Sequence, residues 1–139
     1  MESRRRNLLM GALLVLGVAV PVVLAVEATR PAVCDRTCLL SFTSNYLDAM
    51  LAHKPSAVKT APGFQATENG RAMALGEGIW KTTAAILSRD LFADESSGET
   101  GFFGVVADAQ GQSSPVALHL TIRRGQIQNV DTLVSRGGA

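Results

Sequence analysis

Between residues 116 and 122 the chain alternates strictly. Val116, Leu118, Leu120 and Ile122 are separated by Ala117, His119 and Thr121. Successive side chains of a strand point to opposite faces, so this pattern predicts a strand with one face in a core and the other outside. Turn-forming residues bracket it, Asp108-Ala109-Gln110-Gly111-Gln112 before and Arg123-Arg124-Gly125-Gln126 after. The stretches 101–107 and 127–134 read as its neighbours in a meander. Residues 88–93 form a further candidate strand, closed by the polar run 94–100, and 64–69 an earlier short one stopped by Gly70.

The first part of the chain has a different period. After Asp35, a candidate N-cap, apolar residues recur at Leu39, Phe42, Tyr46, Leu47, Met50 and Leu51, which predicts a helix with one apolar face. Lys54-Pro55 ends it, and Pro55 opens a possible extra turn. Pro62-Gly63 reads as a break. Gly76 and Gly78 lead into 79–87, expected as a short helix. Helices first and strands afterwards give an α+β layout, with helices on one face of an antiparallel sheet. The 139 residues accommodate one such domain, and 47% hydrophobic content argues against a disordered chain.

Residues 1–28 read as an address. Arg4, Arg5 and Arg6 precede an uncharged run at 8–26, and small residues near 23–28 suit signal peptidase. Arg5-Arg6-Asn7-Leu8-Leu9 also fits the twin-arginine export pattern. The alternative is a retained membrane anchor, the run being long enough at ~1.5 Å per residue to span a hydrocarbon core. Either way residues 29–139 are expected outside the cytoplasm, periplasmic or secreted. The whole chain carries 13 basic and 12 acidic residues; without Arg4–Arg6, Glu2 and Glu27 these become ten and ten. A neutral domain has no electrostatic footprint for nucleic acid. Cys34 and Cys38, the only cysteines, lie one helical turn apart. In an oxidising compartment they are expected as a structural disulfide, with free thiols, metal binding or redox chemistry as the alternatives.

Six short stretches together resemble a known group of proteins. They are Cys34-Asp35-Arg36-Thr37-Cys38-Leu39, Tyr46-Leu47-Asp48-Ala49, Thr67-Glu68-Asn69-Gly70, Leu75-Gly76-Glu77-Gly78-Ile79-Trp80, Gly101-Phe102-Phe103-Gly104-Val105-Val106 and Gly125-Gln126-Ile127. The group comprises exported bacterial and fungal domains of unassigned function, similar to the nuclear transport factor 2-like, SnoaL-like superfamily. The resemblance covers most of 34–136 and departs from the usual pattern at Lys54 and Arg124, where acidic residues are common. It implies a cone: a strongly curved antiparallel sheet around a long N-terminal helix, with an apolar cavity at the open end. Members of that superfamily include dehydratases, isomerases and cyclases, binding proteins, and domains that dimerise through the outer sheet face, so fold does not settle function.

Strand parity nominates the chemistry. Phe64, Ala66 and Glu68 share a face, so an inward Phe64 and Ala66 bring Glu68 inward too. A carboxylate desolvated there is expected to hold its proton more tightly and to serve as a general acid or base, as pocket acids do in ketosteroid isomerase. The competing expectation is a structural one, Glu68 capping backbone or pairing with Arg71. Asp90 is the candidate second acid, and Tyr46, on the apolar stripe of the helix, a candidate donor. Phe42, Phe64, Asn69, Trp80, Phe92 and Phe103 are the candidate pocket lining; Asn69-Gly70 also reads as a simple turn. Of Phe102 and Phe103, parity sends one inward. His119 falls on the outer face, and His53 at a helix end. No Ser-His-Asp order, phosphate loop or metal-ligand spacing stands out, so no cofactor is expected. Three functions follow. One is a pocket enzyme of lyase, dehydratase or isomerase type acting on a small apolar molecule. The second is a binding module without turnover. The third is a homodimeric interaction domain working through its outer sheet face.

Overall fold

The helix expected after Asp35 runs Arg36–Leu51 (α1) in the computed structural model, which describes residues 34–137. The address read at residues 1–28 lies outside the described residues. Asp35 caps α1 by accepting a hydrogen bond from the Cys38 backbone N–H at 2.8 Å. Cys34 and Cys38 are joined in a disulfide with Cα atoms 5.2 Å apart, tying the residue before the cap to the first turn. Leu39, Thr43, Tyr46, Leu47 and Met50 form the buried stripe of α1, which packs against strands β3 and β4 defined below. Complete burial of leucines such as Leu39 and Leu47 contributes about 1.5–3 kcal/mol each. A 3-10 turn, Pro55–Ala57, follows.

The rest is a six-stranded sheet: β1 (Thr60–Glu68), β2 (Arg71–Ala72), β3 (Thr83–Asp94), β4 (Glu99–Asp108), β5 (Ser113–Arg123) and β6 (Gln126–Val134), in the spatial order β2-β1-β6-β5-β4-β3. The strands from β3 to β6 form the expected meander. The sheet is not wholly antiparallel, however: β1 lies parallel to β6. Parallel pairing between the first and last long strands is a non-local choice that no turn signal announces. β1 also begins at Thr60 and runs through Pro62-Gly63, expected as a break; the irregular pairing there falls between Thr60 and Gln65, which accommodates the proline and glycine.

The helix expected over 79–87 is one turn, α2 (Ile79–Thr82), and strand β3 takes over at Thr83. Thr82, Thr83 and Ile86 are β-branched and suit a strand. Thr83 is buried and its hydroxyl donates to the Ile79 carbonyl at 2.8 Å, stopping the helix after a single turn.

Register sorts the faces. Val116, Leu118, Leu120 and Ile122 are all buried, as their alternation predicts. Leu118 opposes Phe102, and Leu120 opposes Thr100 and Val130, so these residues form the inner layer under α1. Buried Thr100 donates to the Phe92 carbonyl at 3.0 Å, which leaves Thr43 to donate its hydroxyl hydrogen to Thr100 at 2.7 Å. Gly104 is glycine because a Cβ there would lie 2.2 Å from the Ser88 carbonyl oxygen and 2.6 Å from the Phe102 ring. Among the described residues no helix is long and apolar enough to cross a membrane.

Candidate functional site

Glu68 ends β1, two positions beyond Ala66, and only 6% of its surface is exposed. Both carboxylate oxygens are engaged. Oε2 accepts from the backbone N–H of Ile79 at 2.7 Å, and Oε1 accepts from the Arg136 guanidinium, which also forms its ion pair. The partner is therefore Arg136, in the tail expected to fray, and not Arg71, which is exposed. The approach of α2 is close: a Cβ on Gly78 would sit 2.1 Å from Oε2, and Gly78 has φ +62°, so only glycine fits. The Leu-Gly-Glu-Gly-Ile-Trp stretch is thus the seat for a buried carboxylate.

Tyr46 of α1 and Trp80 of α2 adjoin it. The Trp80 indole N–H donates to the Tyr46 hydroxyl oxygen at 2.8 Å, with the rings edge to face at 5.1 Å. Burial pushes the Tyr46 phenol up to about 12, the nearby Glu68 charge adds to this, and the Trp80 hydrogen bond opposes it. A phenol held this firmly neutral is a poor proton donor at physiological pH. Trp80 is pinned a second time, by His53, whose Nδ1 lies 2.7 Å from the Trp80 carbonyl oxygen.

The space among these groups is a void of about 10 Å³, lined by Tyr46, Ala66, Glu68, Met73, Leu75 and Trp80 together with their neighbours. That is barely room for one water. The open apolar hollow expected around Glu68 is not there; the segment 73–78 and Trp80 fill it. Of the candidate site residues, the structure brings together Glu68, Tyr46 and Trp80.

The others lie elsewhere. Asn69 has φ +50°, as its turn reading predicts, and spends its amide on β6: Oδ1 accepts from the Val134 N–H at 2.8 Å and Nδ2 donates to the Val134 carbonyl at 3.1 Å. Phe42 and Phe64 pack against the core but do not border the void. Asp90, expected as a second acid, is exposed on the outer face opposite Phe103, because Leu91 and Ala93 take the inward positions of β3. Phe103 is 56% exposed while Phe102 is fully buried, so parity places the neighbour inside. Phe92 is 50% exposed and its ring lies over Gly101, where a Cβ would be 2.5 Å away. His119 is on the outer face as parity predicts, 3.4 Å from Glu99 and 3.8 Å from Asp131. Among the described residues no cluster of His, Cys, Asp and Glu is arranged to hold a metal ion.

Residues 33–134 match the family model described as Domain of unknown function (DUF8021). The chain belongs to this family. No curated protein matches it in sequence. Solved structures of similar shape include a protein of unknown function with a cystatin-like fold from Methylobium petroleophilum. It is 14% identical with TM-score 0.60, over 77% of this chain and 82% of that one. A nuclear transport factor 2-like protein from Cytophaga hutchinsonii is 9% identical with TM-score 0.55, over 70% and 89% of the two chains. A protein from Jannaschia provisionally described as a SnoaL-like polyketide cyclase is 13% identical with TM-score 0.57, over 72% and 87%. At these identities the likeness shows the fold of this DUF8021 domain: α+β and nuclear transport factor 2-like, as its motifs imply.

Proposed function

We propose that this DUF8021 domain is an exported, non-catalytic interaction domain that pairs with a second copy through the outer face of its sheet. One observation carries the reading: the large apolar side chains left exposed belong to that sheet. Leu133 opposes Ala117 and Ala117 opposes Phe103 in register, giving an unbroken apolar row across β6, β5 and β4. Leu133 and Leu87 are each 61% exposed, and Phe92 stands beside them. Exposed apolar area of this kind marks an interface. Four strands at ~4.8 Å spacing, about ten residues long at ~3.4 Å each, present roughly 650 Å² per copy, or about 1,300 Å² for a pair, within the standard range. A domain with ten basic and ten acidic residues meets little net repulsion from its twin. Residues 1–28 would deliver it across the membrane, and the Cys34–Cys38 disulfide suits an oxidising compartment. Sedimentation of the purified protein at micromolar concentration tests this: a dimer that becomes monomeric on Phe103→Asp is expected, and a wild-type monomer refutes it.

The pocket reading keeps one supporting observation. The segment over Glu68 carries Gly76 at φ +94° and Gly78 at φ +62°, backbone able to swing. Its displacement together with Arg136 would uncover Glu68, Tyr46 and Trp80 for a small apolar molecule, inside the cone that the superfamily resemblance implies. Turnover abolished by Glu68→Gln with ligand binding retained would favour this reading over the first.

A further inference from the structure

We infer that the surface cleft lined by His53, Pro55, Gly76, Trp80 and Lys81 binds a phenolic small molecule. Its volume is about 350 Å³, and small-molecule sites run from ~300 to ~1,000 Å³. It is distinct from the void at Glu68, with which it shares only Trp80 among its lining residues.

The chemistry starts at His53. This residue follows α1 with φ +51°, and its Nδ1 lies 2.7 Å from the Trp80 carbonyl oxygen. A carbonyl only accepts, so Nδ1 carries the hydrogen, and in a neutral imidazole Nε2 is left as a bare acceptor. Among the described residues no donor meets Nε2. Lys81 supplies the opposite function. Its ammonium pairs with Glu77 at 2.5 Å, and both side chains are about half exposed, so further N–H donors remain for a ligand. The indole N–H of Trp80 is spent on Tyr46, so what Trp80 offers the cleft is apolar ring surface, beside the ring of Pro55. The site therefore asks for a hydrogen-bond donor toward His53, an acceptor toward Lys81 and a flat apolar body. A phenol meets all three with one group on one ring. A simple carboxylate lacks the donor, and an ether lacks it too.

The test uses the full-length chain with 4-methylphenol as the probe and 4-methylanisole, its methyl ether, as the comparison, followed by amide chemical shifts. The phenol is expected to shift resonances of 53–55, 76 and 80–81 and to bind at least ~10-fold more tightly than the ether, the worth of one buried hydrogen bond. His53→Asn is the decisive variant. Asparagine tolerates positive φ and keeps a side-chain N–H for the Trp80 carbonyl, but has no distal acceptor. It is expected to lose ~10-fold in phenol affinity with its melting temperature retained. Should that variant melt early, Lys81→Met, which keeps the apolar stem, must still weaken phenol binding several-fold. Phe103→Asp, on the opposite face of the sheet, is expected to bind the phenol as the wild type does. Equal binding of phenol and ether, full affinity in His53→Asn or Lys81→Met, loss in Phe103→Asp, or shifts centred elsewhere overturns the inference.

Discussion

The buried phenol of Tyr46 makes an alkaline signature that the rest of the chain does not share. Its pKa rises from 10.0 to about 12 in the folded protein, chiefly through desolvation. In the unfolded chain the phenol ionises near 10, so between pH 10 and 12 the folded state binds the extra proton. Stability then falls as pH rises: the contribution is fully present below pH 10 and is lost through the folded pKa. Two units at 1.36 kcal/mol each make about 2.7 kcal/mol in all. The chain has one tyrosine and one tryptophan. The tyrosinate absorption band therefore reports this phenol alone, and tryptophan fluorescence follows unfolding at Trp80. Urea denaturation at pH 9 and pH 11.5 should show the wild type losing about 2 kcal/mol more than Tyr46→Phe over that interval. At neutral pH Tyr46→Phe should itself cost about 1–3 kcal/mol, because the buried Trp80 N–H loses its acceptor. A tyrosinate band that rises near pH 10 in the folded protein, or equal alkaline losses in both proteins, refutes the reasoning.

Other expectations follow from the same contacts. Arg136→Ala leaves the buried Glu68 carboxylate with only the Ile79 N–H, and urea melts should show a loss of about 1–3 kcal/mol, since the arginine itself is half exposed. Gly78→Ala combines a positive φ with a collision against Glu68 and should cost more than about 2 kcal/mol by the same assay, with Gly111→Ala, which meets nothing within 4 Å, as the milder control. Replacing Cys34 and Cys38 by alanine releases a very short loop, and thermal melting should report a loss of about 2 kcal/mol or less.

What could be read from the chain follows from the range of the interactions. The span of α1 was legible because its signals are local: Asp35 at the cap, a 3.6-residue apolar stripe, and Pro55 just beyond the end. The strand at 116–122 was legible because alternation is a property of the strand itself. The parallel seating of β1 on β6 was not, since it joins residues such as Glu68 and Thr132 with no local cue. α2 shrank to one turn because an apolar run of nine residues fits helix or strand, and the bond from Thr83 to Ile79 decides between them. Parity brought Glu68 inward, but nothing in a lone Arg136 beyond the last strand announces that it returns to that carboxylate. Nor does composition reveal that Met73, Leu75 and Trp80 fill the space where a ligand was expected. Asp90 went astray for a related reason: its strand carries a register irregularity between Ile86 and Ser88, and only the pairing of Leu91 with Phe102 fixes which face it takes.

The central claim is that the working surface lies outside the sheet and not inside it. Sedimentation equilibrium of the purified protein, wild type beside Phe103→Asp, measures this directly. A dimeric mass at micromolar concentration that the substitution reduces to the monomer, with the melting temperature held, is the result this structure leads us to expect. A wild type that stays monomeric across that range, or a dimer indifferent to the charge at residue 103, would contradict it.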